Sequence, residues 1–114
     1  ALDLPVVYTD PVGFESVWMS KNRKYLNLTL ILKTGKTDNK KAVQALAIAC
    51  DSIKKMPSGG RAFYLRLYHH QNGVPEYYSK RVFTSIPLDG FNQKDSIYLN
   101  INTYKGQISK HFAY

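Results

Sequence analysis

Residues Lys24–Lys33 read KYLNLTLILK, and that run constrains the chain most. Leu26, Leu28, Leu30 and Leu32 fall on one side of an extended chain; Tyr25, Asn27, Thr29 and Ile31 fall on the other. A period of two is the signature of a strand with one buried face. Two later runs repeat it. In Arg61–His70 (RAFYLRLYHH) the inward set is Phe63, Leu65 and Leu67. In Ser96–Tyr104 (SIYLNINTY) it is Ile97, Leu99 and Ile101. Leu4–Tyr8 and Phe14–Met19 read as shorter strands. Gln71-Asn72-Gly73 carries the Asn-Gly hairpin signal, which makes Glu76–Ile86 the partner strand of Arg61–His70. Lys105-Gly106 turns the chain into a short edge strand, Gln107–Tyr114.

One segment reads differently. Across Asp38–Met56 the residues Val43, Leu46, Ala47, Cys50 and Ile53 follow a three-four spacing. That is the stripe of an amphipathic helix. Ala42, Ala45, Ala47 and Ala49 raise helix propensity, Thr37 or Asp38 offers an N-cap, and Pro57-Ser58-Gly59-Gly60 ends the element. Cys50 lies on the stripe as a small buried hydrophobe. The expected fold is α+β: a single compact domain over residues 1–114, with one amphipathic helix on one face of a mainly antiparallel sheet of about five strands. Edge strands are expected at Leu4–Tyr8 and Gln107–Tyr114. The first lacks charge, which invites pairing with another chain as a homo-oligomer.

With 114 residues there is room for one domain and not for two. No apolar run reaches the length of a transmembrane helix. Cys50 is the only cysteine, so an internal disulfide framework is excluded. The first residue is Ala1 rather than Met, which fits cleavage of a leader and an envelope or secreted location. A boundary within a longer protein explains the same observation.

The net charge is +8, from 16 basic and 8 acidic residues, and it is unevenly spread. Residues 1–20 hold three acids and no base, whereas residues 21–60 hold nine bases against two acids. A basic middle points to an anionic partner: an acidic protein, an anionic polymer or nucleic acid. Twelve of the bases are lysine, which argues against base-specific reading of nucleic acid, where arginine's planar fork is the better tool.

Two surfaces are candidates for binding. The first is the outward face of the later strands: Tyr64, Arg66, Tyr68 and His70, with Tyr98, Asn100, Asn102 and Tyr104. Tyrosine supplies contact area at small entropy loss, and arginine and asparagine supply directed hydrogen bonds. Ordinary cross-strand pairing on a wet sheet face explains the same composition. The second is the cluster Lys33, Lys36, Lys40 and Lys41 around the expected helix start, where a bound anion would offset like charge at the positive end of the helix dipole. Gly35-Lys36-Thr37 lacks the long glycine-rich loop of a nucleotide-binding motif. His69 and His70 are adjacent and point to opposite faces of a strand, so they do not share a metal.

No catalytic constellation is evident, and neither a metal nor a cofactor is implied. The expected function is therefore non-enzymatic: a binding module of the bacterial envelope or secreted space that holds a protein or anionic partner. A small basic metal-independent ribonuclease or toxin domain is the alternative, with Glu76, His70, His111, Arg66 and Arg81 in its catalytic roles. A phage or plasmid nucleic-acid-binding accessory protein is a third.

Overall fold

The computed structural model describes residues 8–114, and every regular element among them is a strand. The strands are β1 (Gly13–Met19), β2 (Tyr25–Thr34), β3 (Ala45–Lys55), β4 (Arg61–His70), β5 (Tyr78–Pro87), β6 (Ser96–Thr103) and β7 (Gly106–Ala113). They form a three-stranded sheet, β1-β2-β5, and a four-stranded sheet, β3-β4-β6-β7. All pairings are antiparallel except β4 with β6.

The expected α+β fold is overturned: there is no helix among the described residues, and a second sheet stands where the helix was placed. Asp38–Met56 instead contains a loop through Gln44 followed by β3. A β-bulge caused the misreading. Cys50 pairs with Leu65 and Ser52 with Tyr64, leaving Asp51 as an extra residue. A bulge shifts the alternation by one position. Leu46, Ile48 and Cys50 lie on the inner side before it, and Ile53, opposite Phe63 but 55% exposed, lies on that side after it, so a strand of period two acquires the three-residue step of a helix. The alanines at 45, 47 and 49 sit opposite His70, Tyr68 and Arg66, where a small side chain leaves room for a large neighbour. Cys50 is half-buried at the margin of the core, rather than sealed beneath a helix.

The Asn-Gly turn also departs from expectation. β4 and β5 are not a hairpin, because β5 pairs with β2 along all ten of its residues and β4 lies between β3 and β6. Asn72 does take a left-handed conformation, at φ 50°, but the turn carries the chain from one sheet to the other.

Between the sheets lie the leucines of β2 together with Phe63, Leu65, Leu67, Ile97, Leu99 and Ile101. Leu26, Leu28, Leu30, Ile97, Leu99 and Ile101 are all at most 1% exposed. Each such side chain contributes about 1.5–3 kcal/mol by leaving water. The alternation of β2, β4 and β6 therefore appears in space as the sequence requires.

Residues 8–12 close one side of the sandwich. Thr9 bridges His69 and Val12 bridges Thr103, both in parallel, so this short segment sits between the diverging ends of β4 and β6. Backbone bonds from Asp10 N to His69 O and from Val12 N to Asn102 O, each 3.0 Å, hold it there. The expected strand Leu4–Tyr8 lies outside the described residues except for Tyr8, whose carbonyl accepts the His69 N–H at 2.9 Å.

At the opposite end Asp95 forms a clip. Its carboxylate accepts the backbone N–H of Arg61 (2.9 Å) and of Asn92 (2.8 Å) and the Arg61 guanidinium (3.1 Å). Burial pushes this carboxyl upward, but the two backbone donors and Arg61 outweigh it, and the net pKa is lowered. Gly60 makes the approach possible, since a Cβ there would lie 1.9 Å from the Lys94 carbonyl oxygen.

Candidate functional site

The outer face of the four-stranded sheet carries most of the side chains singled out from the sequence. In-register pairing sets them in rows across the strands. Tyr64 lies opposite Tyr98, and Tyr98 opposite His111. Their rings stack, with centroids 5.0 Å apart for Tyr64–Tyr98 and 4.4 Å for Tyr98–His111. Lys54 extends the row, its Nζ 5.4 Å from the Tyr64 ring centroid. A second aromatic group lies at the far end of β4. Tyr8 stacks on His70 at 3.7 Å and meets Tyr68 edge-on at 6.0 Å.

Between the two groups the surface turns polar. Arg66 and Asn100 are paired in register. The Oδ2 of the bulged Asp51 receives Arg66 through Nε and through the terminal guanidinium nitrogen, both at 3.0 Å, which ties the guanidinium to β3. Asn102 donates to the Thr9 carbonyl at 2.7 Å. Thr9, Arg66, Asn100, Asn102 and Gln107 surround a shallow recess of about 120 Å³. The arrangement suits recognition of a surface: flat rings for contact, a fixed guanidinium and an amide for directed bonds.

Residues 5–114 match the NigD-like C-terminal beta sandwich domain. The chain belongs to that family. The family description agrees with the helix-free architecture. Two solved structures share the fold. One is a NigD-like immunity protein from Bacteroides caccae, 25% identical, with a TM-score of 0.64 over 94% of this chain. The other is a toxin-related protein from Parabacteroides distasonis, 19% identical, with a TM-score of 0.69 over 93% of this chain. This chain spans 56% and 51% of their respective lengths. No curated protein shows a significant match.

On this NigD-like sandwich Tyr64, Arg66, Tyr68, Tyr98 and Asn100 share the outer face, as their alternation required. Tyr104 does not join them. β6 ends at Thr103, and the turn carries Tyr104 around the sheet margin, where Lys33 Nζ lies 4.6 Å from its ring centroid. Burial raises the Tyr104 phenol pKa, the nearby Glu76 adds to the rise, and a hydrogen bond with the Lys33 backbone opposes it. Lys33 belongs to β2, whereas Lys36, Lys40 and Lys41 lie on the exposed loop between β2 and β3. With no helix after them, the argument from a helix dipole falls.

That lysine loop is nevertheless anchored. Asn72 Nδ2 donates to the carbonyls of Lys41 (3.3 Å) and Val43 (3.0 Å). Gln44 Nε2 lies 2.8 Å from His69 Nε2 and 3.1 Å from Gln71 Oε1. His69, 1% exposed, completes the network with Nδ1 3.0 Å from the Asp10 carbonyl oxygen. Sequence reasoning missed this set, because its members are brought together only by the β3–β4 pairing and the bridge from residues 8–12 to β4. It also missed Tyr8, Asp51 and Lys54 on the outer face. Tyr8 carries no local signal, and the other two depend on the bulge.

Three of the four arginines are held in ion pairs. Arg61, Arg66 and Arg81 pair with Asp95, Asp51 and Glu15. Among the described residues, no lysine side chain lies within 4.0 Å of a carboxylate. The positive surplus thus resides on the lysines and on Arg23, whose guanidinium lies over the Tyr114 ring. The groups cast for a ribonuclease do not converge. His111 is in the Tyr64 row, and His70 is six residues further along β4, roughly 20 Å away at the strand rise. Arg81 is on the other sheet with Glu15.

Proposed function

We propose that this chain is a non-enzymatic binding module of the bacterial envelope or secreted space. In this reading it holds an acidic protein partner on the outer face of the four-stranded sheet, in the manner of an immunity module. The observation that carries the reading is the pair of stacked aromatic groups flanking a fixed Arg66 and Asn100 on one sheet face. Tyrosine and arginine dominate interface energies when they are pre-set in this way. The NigD-like immunity protein and the toxin-related protein support a protein as partner and a place outside the cytoplasm. The lysine surplus supports an acidic partner.

The test begins with proximity labelling in the producing bacterium to identify the partner, followed by affinity measurement with purified proteins. Tyr68→Ala and Arg66→Ala are each expected to weaken binding by about tenfold or more, while melting as the parent protein does. Unchanged affinity in both variants rules the face out. Cleavage of bulk RNA by the parent protein, abolished in His70→Ala or His111→Ala, would replace this reading with an enzymatic one.

A further inference from the structure

The sandwich is open on the side where β3 and β5 form the edges of their sheets. A largely apolar cleft of about 520 Å³ lies there, with Leu46, Ile48, Leu65 and Leu67 on one wall and Ile86 and Pro87, beside Thr84, Ser85 and Asp89, on the other. Above it runs the first half of β3, Ala45–Cys50, with the sequence ALAIAC. Among the described residues, the backbone of this half-strand bonds only to β4. Its outer row of N–H and C=O groups is therefore available for pairing.

The other three edges carry the devices that discourage such pairing. β1 is interrupted by a bulge at Glu15. β5 carries Lys80, Arg81 and a terminal Pro87, and β7 carries Lys110 and His111. Charges, proline and bulges are the usual means of blunting an edge. Ala45–Cys50 has none of them, and its bulge begins only at Asp51.

We propose that Ala45–Cys50 is a β-augmentation site: an extended, acid-flanked segment of a partner protein adds to the β3 edge and lowers alternate apolar side chains into the cleft. The open ladder dictates an extended ligand. The cleft lies to one side of that ladder, so every second side chain of the ligand enters it. Lys40 and Lys41 stand just before β3, and Lys54 and Lys55 end it, which places acidic residues at both ends of the ligand. The same lysines disfavour a second copy of this chain. In an antiparallel pair centred on Ile48, Lys41 would face Lys55, and each chain carries a net charge of +8. The inference concerns the β3 edge and its cleft; it borders the aromatic face at Lys54, Ala45 and Ala47 but does not rest on the reading given for that face.

The test is selection of randomised displayed peptides of about ten residues, the length of a typical longer strand, on the intact protein. Enriched peptides are expected to alternate apolar residues and to carry Asp or Glu at their ends. Ala45→Lys and Ala47→Lys, which place a charge on the edge, are expected to weaken the best peptide by about tenfold or more. N-methylation of alternate peptide amides is expected to do the same without altering the protein, which covers the case of a variant that fails to fold. Tyr98→Ala, on the outer face, is expected to leave the peptide's affinity unchanged. Enrichment without alternation, affinity insensitive to both N-methylation and the edge lysines, or a protein that sediments as a β3-paired dimer overturns the proposal.

Discussion

Asp95 is the residue whose removal tests the packing argument most sharply. Its side chain is 2% exposed, and its carboxylate is the acceptor for the backbone N–H groups of Arg61 and Asn92. In Asp95→Ala both donors lose their acceptor at a position shielded from solvent. Each unsatisfied donor costs about 1–3 kcal/mol. Loss of the Arg61 contact adds little, because that guanidinium is 38% exposed. The expected destabilisation is about 3–5 kcal/mol, or roughly 12–20 °C in melting temperature at about 4 °C per kcal/mol for a domain of this size. Asp95→Asn keeps one acceptor oxygen and should fall near half of that. The assay is urea and thermal unfolding followed by near-ultraviolet circular dichroism. The pH dependence supplies an internal check. The folded-state pKa is lowered from its ordinary 3.8. The advantage over Asp95→Asn should therefore be fully present above that value and shrink as pH falls through the lower folded one. An Asp95→Ala loss under about 1 kcal/mol, or an advantage over Asp95→Asn that persists unchanged at pH near 2, refutes the clip.

Gly60→Ala should cost about 1–3 kcal/mol in urea unfolding, because the new methyl meets the Lys94 carbonyl; Gly90→Ala, with nothing nearby, should stay within about 0.5 kcal/mol of the parent. Leu28→Ala, in the sealed core, should lose about 2–5 kcal/mol. Leu46→Ala, on the wall of the open cleft, should lose less than half as much, and equal losses would mean that the cleft is filled in solution. Replacing Lys36, Lys40 and Lys41 together by Gln should leave stability within about 0.5 kcal/mol, since the loop is held through backbone carbonyls, yet flatten the salt dependence of binding to an acidic partner. Spectrophotometric titration should show Tyr104 ionising later than an exposed tyrosine, a late component absent from Tyr104→Phe.

What the sequence disclosed and what it hid follow one physical line. β2, β4 and β6 were legible because each buries one face without interruption, so hydropathy alternates strictly. β3 was not, because the extra residue Asp51 changes which face is buried half-way along, and the alanines that accommodate Tyr68 and Arg66 mimic helix propensity. The second layer was hidden because the choice between β2 and β4 as partner for β5 is decided by packing between distant strands. The Asn-Gly turn favours a local hairpin but does not compel one. On the candidate face, the seven residues in regular strand were placed by alternation alone. Tyr104 was misplaced because the strand stops one residue before it.

The segment at residues 8–12 has a consequence for how the molecule is made. Its side-chain and backbone partners include His69 and Asn102, 59 and 93 positions along the chain from the residues they bind. During synthesis it emerges before β4 and β6 and stays without its slot until both have left the ribosome. The slot itself depends on two strands that run in the same direction and must find each other across β5. Closure of such distant contacts is slow. The last event in folding should therefore be insertion of the first residues described here, and the unclosed gap between β4 and β6 should be the feature of the nascent protein most exposed to chaperones and to mispairing.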